Sequence, residues 1–336
     1  MDLPTGWTTR RPTLDDDVPA ILAMVHASDI AAVGHPDFTA DDVREALTSP
    51  HVDPAVDSWL AVTPDGTLAG WAYLENPNAG DREFIEVYVH PEYGVPAQRP
   101  LLALVLARVA ERAAAFGHPE VTVRGGGIPN EESWLAALRE AGFGFVKRYA
   151  RMRRTLADLP PEPVLPDGVT VRLLRAEDDV DMRDFHRILD TAFRDTPDYV
   201  PLTYEQWRER VAALPSVTWD EWFVASVDGV PAGILQSADQ ALDQNEGWVK
   251  HLAVLAEHRR RGLGAALLAR AFATYAAKGR DTAGLGVDLT NPTRAANLYT
   301  AMGMSPAFEV EMYERKVSAA GYGDAVRVGR DRSSAT

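Results

Sequence analysis

The chain has 336 residues and a formal net charge of −15, and it contains no cysteine. A chain of this length suits two domains that each bury a core of their own. The missing cysteines exclude disulfides, thiolate metal sites and a cysteine nucleophile, and the acidic balance argues against a nucleic-acid partner. No apolar run reaches the roughly 18 residues of a membrane span, and residues 1–11 lack an apolar signal segment, so we expect a cytoplasmic protein without a membrane partner.

The sequence contains two related halves. Apolar segments at residues 59–62 and 222–225 are followed by Asp-Gly pairs that begin at Asp65 and Asp228. An Asp-Gly pair between two strand-like segments is typical of a hairpin turn. A further apolar strand and a long helix follow in both halves, which predicts a duplicated α/β unit.

A proline-rich segment between the two halves predicts the domain boundaries. Residues 155–168 contain four prolines, which interrupt regular structure and stiffen a connection. We therefore predict a first domain over residues 1–154, a linker over 155–168 and a second domain over 169–317. Residues 318–336 are rich in Gly, Ser, Arg and Asp without apolar periodicity, which predicts a mobile tail.

The most informative stretch is in the second half, where the strand-like segment 248–255 leads through a basic, glycine-containing turn into a helix. The first N–H groups of such a helix lack partners, and glycines let a bulky group approach the backbone. Arginine adds positive charge where the helix already favours an anion. The predicted diphosphate cradle consists of Arg259, Arg260, Arg261, Gly262, Leu263, Gly264 and Ala265.

The first half has lost these features. Its corresponding loop, residues 94–100, contains Pro96 and Pro100, and proline has no N–H to offer. Leu138 stands where the second half has Tyr299, so a side chain that can donate a proton is also missing. We therefore predict that the first half is a structural domain and that the second half carries the site.

The second half resembles the GNAT-type N-acetyltransferases. The turn Arg259-x-x-Gly262-x-Gly264 is similar to the acetyl-CoA diphosphate motif of that family, and Asn291-x-x-x-Ala295-x-x-x-Tyr299 is similar to its second motif. The resemblance covers residues 169–317 well and 8–154 as a degenerate copy, in an arrangement similar to tandem actinobacterial acetyltransferases of the mycothiol synthase type. It implies an α/β fold of two tandem GNAT-like domains, each with a mixed, mostly antiparallel sheet flanked by helices.

The resemblance also implies roles for individual residues. Acetyl-CoA would be the co-substrate, and an amine would attack its thioester directly in a ternary complex, with the strand end at Leu252, Ala253 and Val254 supporting the oxyanion. Tyr299 would protonate the leaving thiolate, while Asn291 and Ala295 would belong to the part of the site that binds the co-substrate. No metal is expected, because the histidines show no metal-ligand spacing.

The general base is predicted at Glu246. Many family members carry a Glu on this strand at the place that Trp248 occupies here, and Glu246 lies two residues earlier on the same face of a regular strand. Lys250 would share that face, and strict alternation turns His251 to the opposite one. Water is the alternative base.

The acceptor and two other classes of function remain open from the sequence. A small molecule with a primary amine is the predicted acceptor, and a protein or peptide amine is the alternative. The candidates for the rim of its site are Trp207, Trp219, Asp220, Glu221 and Trp222. The pair Gly262-x-Gly264 with Asp288 at the end of the next strand also fits an NAD-binding oxidoreductase that lacks its third glycine. A non-catalytic acetyl-CoA sensor is the third possibility, and the chain is expected to be a monomer or a homodimer.

Overall fold

The computed structural model describes residues 2–161, 163–196, 199–214, 217–242, 244–290 and 295–319. Its internal contacts divide the chain into two compact units. Unit 1 comprises Met1–Arg148 and Glu309–Thr336, and unit 2 comprises Tyr149–Phe308. Most of the predicted tail, residues 320–336, lies outside the described residues.

The units differ from the sequence repeats at the last strand of each repeat. The end of the strand Gly144–Thr155 belongs to unit 2, and the end of the strand Ser305–Ser318 belongs to unit 1. Each unit is therefore completed by a segment from the other repeat. The border predicted between residues 154 and 155 falls inside unit 2 because sequence similarity does not record which sheet a last strand joins.

Unit 1 contains a six-strand order in which the last strand comes from the C-terminal part of the chain. Strands of the N-terminal half are β1 (Thr8–Arg10), β2 (Ser58–Val62), β3 (Leu68–Glu75), β4 (Arg82–Val89), β5 (Glu120–Gly127) and β6 (Gly144–Thr155). Helices of that half are α1 (Leu14–Val33), α2 (Ala40–Thr48), α3 (Pro54–Asp57), α4 (Gln98–Ala115) and α5 (Glu132–Glu140). The order in unit 1 is β1-β2-β3-β4-β5, followed by the segment 309–318, and only β4 and β5 pair in parallel.

Both faces of the unit 1 sheet are covered by helices. Leu101 of α4 and Leu138 of α5 are buried against Ile85 of β4 on one face. Ile21 of α1 is buried with Trp71 of β3 on the other face. This two-sided burial explains why β2 and β3 carry apolar residues at most positions.

Unit 2 repeats the arrangement with its own helices. Strands of the C-terminal half are β7 (Val169–Leu173), β8 (Phe223–Val227), β9 (Val230–Ala238), β10 (Glu246–Val254), β11 (Thr282–Asp288) and β12 (Ser305–Ser318). Helices of that half are α6 (Asp179–Phe193), α7 (Tyr204–Ala212), α8 (Leu263–Ala277) and α9 (Ala295–Ala301). The order is β6-β11-β10-β9-β8-β7, and only β10 and β11 pair in parallel.

The two faces of the unit 2 sheet carry separate cores. Leu267 and Phe272 of α8 are buried on one face, and Phe185 of α6 is buried with Trp207 and Trp222 on the other. The predicted fold class, two tandem mixed and mostly antiparallel sheets flanked by helices, is confirmed. No helix within the described ranges is long and apolar enough to span a membrane.

Helix starts follow from local sequence. The hydroxyls of Thr39 and Thr203 accept the N–H groups of Asp42 and Gln206, both at 3.2 Å, and the side chains of these two residues accept the N–H groups of the threonines. These capping boxes fix the beginnings of α2 and α7. Both patterns are readable in the sequence as Thr followed three residues later by Asp or Gln.

A stability prediction comes from the close packing of β10 against α8. A Cβ at Gly247 would lie 2.2 Å from Cδ2 of the fully buried Tyr275, whose hydroxyl is 2.6 Å from that of Ser237. We expect Gly247→Ala to destabilise unit 2 by about 1–3 kcal/mol, because the anchored ring has little room to move. Thermal unfolding of the full chain checks this, with Gly286→Ala as the matched control, since nothing lies within 4 Å of a Cβ there. Equal losses in the two variants would contradict the packing argument.

Candidate active site

The central feature of unit 2 is the separation of its two parallel strands. β10 and β11 pair from Glu246 and Thr282 as far as Val249 and Leu285. Beyond that point β10 stays paired with β9, and β11 stays paired with β6. The inner edges of both strands therefore diverge and leave backbone groups available to a ligand in the opening.

A β-bulge in β10 corrects the predicted face of His251. The register with β9 shifts between Val249 and His251, so one extra residue enters the strand and reverses the alternation. His251 pairs with Gln236 on the face that carries α6, the same face as Trp248 and Glu246. The prediction from strict alternation was wrong because the sequence gives no sign of the bulge.

His251 is held in place on this face by polar and aromatic contacts. Its Nδ1 is 2.8 Å from Oε1 of Gln236, and its ring meets that of Phe193 edge to face at 5.6 Å. Burial, with a smaller effect from Lys250, lowers the pKa of His251 to about 4. The imidazole is therefore neutral at physiological pH, and with Nδ1–H donated to Gln236 its Nε2 can accept a proton.

The amides at the end of β10 have defined directions. The N–H of Leu255 donates to the carbonyl of Ala232 in β9 at 3.0 Å. Because donors alternate along an antiparallel strand, the N–H of Ala253 also faces β9, whereas those of Leu252 and Val254 face the opening beside β11. Within the predicted stretch, Leu252 and Val254 are thus the two residues whose amides can reach a ligand there.

The turn after β10 presents a row of further amides. Arg260 and Gly262 adopt left-handed conformations, with φ of 63° and 82°, and Gly262 is the N-cap of α8. The guanidinium of Arg259 is drawn back to the strand end, because its Nε donates to the carbonyl of Val254 at 3.1 Å. The first intrahelical bond runs from the N–H of Ala266 to the carbonyl of Gly262 at 3.0 Å, so the preceding amides of α8 have no partner within the helix. Left-handed residues next to a helix N-terminus form a cradle that favours anions.

The corresponding loop of unit 1 uses its amides internally. The N–H of Gly94 donates to His90, and the N–H of Ala97 donates to Gly94, both at 2.8 Å. A Cβ at Gly94 would lie 2.2 Å from the carbonyl oxygen of Ala69, so this loop packs directly on the sheet. Pro96 and Pro100 offer no N–H. In the structure as in the sequence, only unit 2 combines diverging strands with a row of available amides.

The two sequence motifs meet at the beginning of α8. Cδ2 of Leu298 in α9 lies 2.9 Å from the position of a Cβ on Gly264, so the missing side chain lets α9 approach. Ala295, at the start of α9, packs against the same core. Asn291 lies outside the described residues.

Tyr299 follows Leu298 on α9. Its side chain is 8% exposed, and burial raises the pKa of the Tyr299 hydroxyl to about 12. The hydroxyl therefore keeps its proton throughout the physiological range. Its role as proton donor remains a prediction.

Glu246 lies at the other end of β10. At about 3.3 Å per residue it is roughly 20 Å along the strand from Leu252. The carboxylate has no exposed surface, and it contacts Nη2 of Arg151 at 2.8 Å and Nε of Arg153 at 2.6 Å. The hydroxyl of Thr282 donates to it at 3.0 Å. These contacts give Glu246 a structural role, and its role as general base stays a prediction that the geometry does not support.

Much of the predicted acceptor rim is part of the hydrophobic and ionic interior. Trp207 and Trp222 are buried in the core beneath α6. Glu221 is fully buried and pairs with Lys278 at 2.7 Å and Arg280 at 2.5 Å. These three side chains therefore do not line a surface. Of the remaining predicted residues, Trp219 is half-buried with its ring 4.7 Å from that of Trp222, and Asp220 is exposed and pairs with Lys278 at 2.5 Å. His251, with the Phe193 ring against it, lies where β10 begins to diverge from β11.

The diverging parallel strands and the amide-rich helix start define an acyl-CoA-dependent transferase. The family model described as "Acetyltransferase (GNAT) family" matches residues 182–304. A mycothiol acetyltransferase of Streptomyces griseus is 32% identical over 260 residues, which cover 76% of this chain and 79% of that protein. A mycothiol acetyltransferase of Thermobispora bispora is 31% identical over 313 residues, which cover 89% of this chain and 96% of that protein.

Solved structures agree with the tandem architecture. A GCN5-related N-acetyltransferase from Sphaerobacter thermophilus superposes with a TM-score of 0.80 at 25% identity, covering 94% of this chain and 98% of its own. A tandem GNAT protein from the clavulanic acid biosynthesis pathway has the same fold, with a TM-score of 0.63 at 16% identity and coverage of 93% and 98%. The chain belongs to the GNAT acetyltransferase family, in its tandem-domain form. It is an N-acetyltransferase with acetyl-CoA as co-substrate.

The family assignment sets aside the oxidoreductase and the non-catalytic sensor. Asp288, which a dinucleotide-binding site would direct to a ribose, instead accepts the N–H and hydroxyl of Thr290 at 2.8 and 2.6 Å. The Asp288 carboxylate thus stabilises the turn that directly follows β11.

Two glycine substitutions distinguish the effect of backbone strain on stability from the effect of a lost ligand contact on acetyl-CoA affinity. Gly262 and Gly279 lie at opposite ends of α8 with φ of 82° and 79°, and nothing lies within 4 Å of a Cβ at Gly279. Gly262→Ala and Gly279→Ala should cost similar stability, about 1–2 kcal/mol of left-handed strain. Only Gly262→Ala should weaken acetyl-CoA binding, by about tenfold, because its Cβ stands where the diphosphate approaches the backbone. Calorimetric titration measures both affinities, and equal weakening would refute the assignment of the cradle.

Proposed function

We propose that unit 2 transfers an acetyl group from acetyl-CoA to the primary amine of a small molecule by direct attack in a ternary complex. The observation that carries this proposal is the opening between β10 and β11 beside the free amides of α8. This arrangement offers anion-binding amides for a diphosphate and further amides for a thioester carbonyl along one continuous path. Holding both reactants there would replace a bimolecular encounter by an oriented one.

Two sets of groups would act on the thioester. The N–H groups of Leu252 and Val254 would stabilise the negative charge that develops on the carbonyl oxygen when the amine attacks. The carbon–sulfur bond then breaks, and the thiolate takes the proton of Tyr299. A hydroxyl with a pKa of about 12 still carries its proton when the thiolate forms, as the role requires, and burial also makes it a weaker acid than a solvated tyrosine.

The acceptor attacks as the neutral amine after its ammonium form has lost one proton to solvent. The attacking nitrogen then loses a second proton, which we propose that His251 accepts. It lies one residue before Leu252 on the acceptor-facing side of β10, and its Nε2 is available while Nδ1 is held by Gln236. Glu246 was predicted for this role, but its carboxylate is held by two arginines about 20 Å along the strand.

The acceptor is proposed to be a small cationic amine. The net charge of −15 favours cations in general. The relatives named mycothiol acetyltransferases favour the unacetylated precursor of mycothiol as the first acceptor to test. Release of free thiol from acetyl-CoA, measured with that precursor, with amino sugars and with peptides, decides among them. Turnover with peptides alone would refute a small-molecule acceptor.

Removing the Tyr299 hydroxyl tests the acid. We expect Tyr299→Phe to lower kcat by about 100-fold with little change in the affinity for acetyl-CoA, because a proton donor contributes only in the transition state. The control is Tyr275→Phe, which removes a buried hydroxyl that bonds Ser237 away from the opening. Steady-state kinetics of both variants should show the loss of kcat only at position 299.

Paired substitutions on β10 test the base. His251→Gln should lower kcat by about 100-fold at pH 7.5, whereas Glu246→Gln should lower the melting temperature and leave kcat near the wild-type value. Because the pKa of His251 is about 4, the imidazole is neutral above pH 5, and the wild-type kcat/KM should show no histidine limb between pH 6 and 8. A large loss of kcat in a folded Glu246→Gln enzyme would restore Glu246 as the base.

A further inference from the structure

Unit 1 retains the strand divergence although it lacks the anion cradle. Its parallel strands β4 and β5 pair from Arg82 and Thr122 as far as Ile85 and Gly125, and β4 then continues to Val89 beside β3. The first residue of the diverging part is Glu86. The opening in unit 1 therefore begins at a carboxylate.

Glu86 occupies the place that His251 has in unit 2. The pairs Gly70–Val89 and Gly233–Val254 align the two units at the ends of the strands. Counting back from them, Glu86 pairs with Tyr73 as His251 pairs with Gln236. In both units this position carries a titratable side chain on the face away from the helix that follows the strand.

The surroundings of Glu86 are aromatic. Trp71 stacks on Tyr73 at 4.4 Å and on Tyr88 at 6.0 Å between ring centroids, and Phe38 meets Tyr88 edge to face at 5.5 Å. Tyr73, Glu86 and Tyr88 share one face of the sheet, because Tyr73 lies opposite Glu86 and Trp71 lies opposite Tyr88.

Three polar groups on this face make no side-chain hydrogen bond within the part of the chain that the structure describes. Tyr73 is only 6% exposed, yet its hydroxyl makes no hydrogen bond within the described residues. The same holds for the Glu86 carboxylate and the Tyr88 hydroxyl. Glu86 and Tyr88 are half-buried, so both can be reached from solvent, and the Glu86 residue lies across the ladder from Tyr73.

The charged groups that influence this recess are almost all acidic. Burial, with smaller effects from Glu131 and Glu75, raises the pKa of Glu86 to about 8. Asp29 and Asp42 act in the same direction on the two tyrosines, and Glu45 acts on Glu75. Two basic side chains of the region are already engaged. His26, near Asp29, lies 2.7 Å from the carbonyl of Phe38, and Arg124 donates to Glu314 at 2.7 Å.

We propose that unit 1 binds the ammonium group of a small organic amine at Glu86, between Tyr73 and Tyr88. A carboxylate supplies the ion pair, the tyrosine hydroxyls accept N–H hydrogen bonds, and the aromatic rings favour an organic cation. Unit 1 would thus be an amine-binding domain without its own acetyl-CoA site. This binding does not depend on the chemistry proposed for unit 2.

Binding of an ammonium ion at Glu86 should depend on pH in a defined direction. At pH 7 Glu86 is mostly protonated, so an ammonium ion that pairs with the carboxylate displaces a proton to solvent. Affinity should therefore rise with pH up to about 8 and level off above it, as long as the ligand amine stays protonated. The number of protons released should fall from nearly one at pH 7 towards zero at pH 9.

The experiment is calorimetric titration of the full chain with ethylammonium chloride in phosphate and in Tris at pH 7. The difference between the buffers gives the proton release, and acetamide serves as a neutral ligand. Glu86→Gln should abolish the proton release and weaken binding at least tenfold. Glu92→Gln, which alters an exposed carboxylate in the loop after β4, should behave as wild type.

The outcomes separate unit 1 from the active site. Loss of proton release and of ethylammonium binding in Glu86→Gln alone, with acetyl-CoA turnover retained, supports the proposal. Unchanged binding in Glu86→Gln, equal binding of acetamide, or equal competition by potassium chloride overturns it. The melting temperature shows separately whether the Glu86→Gln variant is folded. Removing a carboxyl with a raised pKa should increase this temperature relative to wild type between pH 5 and 8.5. A decrease over that range would contradict the unpaired state of Glu86.

Discussion

The structure of unit 2 depends on the early end of one parallel strand pairing. β10 and β11 share four residue pairs and then separate, while each keeps its other neighbour. The outer pairings hold both strands in place, so the gap is maintained by the sheet and not by a loop. Because backbone amides in this gap have no partner in the parallel ladder, the fold itself leaves donors available there, and the start of the helix that follows β10 adds further amides without intrahelical partners.

Local irregularities adapt this scaffold to chemistry. The bulge before His251 turns that side chain to the face of α6, and the left-handed Arg260 and Gly262 turn the loop towards the start of α8. A left-handed arginine carries a conformational cost. Left-handed non-glycine residues also occur at Asp228 and Asn245, so this conformation is not confined to the turn before α8.

Comparison of the two units shows that the strand divergence can occur without the anion cradle. Unit 1 has the same strand order and the same strand divergence. In the loop after β4, however, the backbone N–H groups donate to carbonyls of the same loop, and Gly94 packs against the sheet. The divergence is thus a property of the fold, whereas the anion cradle is a property of one turn. Glu86 in unit 1 and His251 in unit 2 occupy equivalent positions, so the two copies of the fold carry different titratable side chains at the start of the divergence.

The sequence by itself determined the duplication of an α/β unit and the glycine-arginine turn, because these depend on short-range periodicity and backbone freedom. The sheet architecture followed from the resemblance of its motifs to a known family. The contrast between Gly262 and the prolines of the first repeat was also readable, since proline excludes a donor wherever it stands. Only the tertiary structure decided the face of His251, the ion pairs of Glu246 and the burial of Trp207 and Trp222. A single bulge reverses every later side chain on a strand, and a carboxylate shows its partners only when distant strands are brought together. The exchange of last strands between repeats was hidden for the same reason, because strand pairing is a contact between residues far apart in the chain.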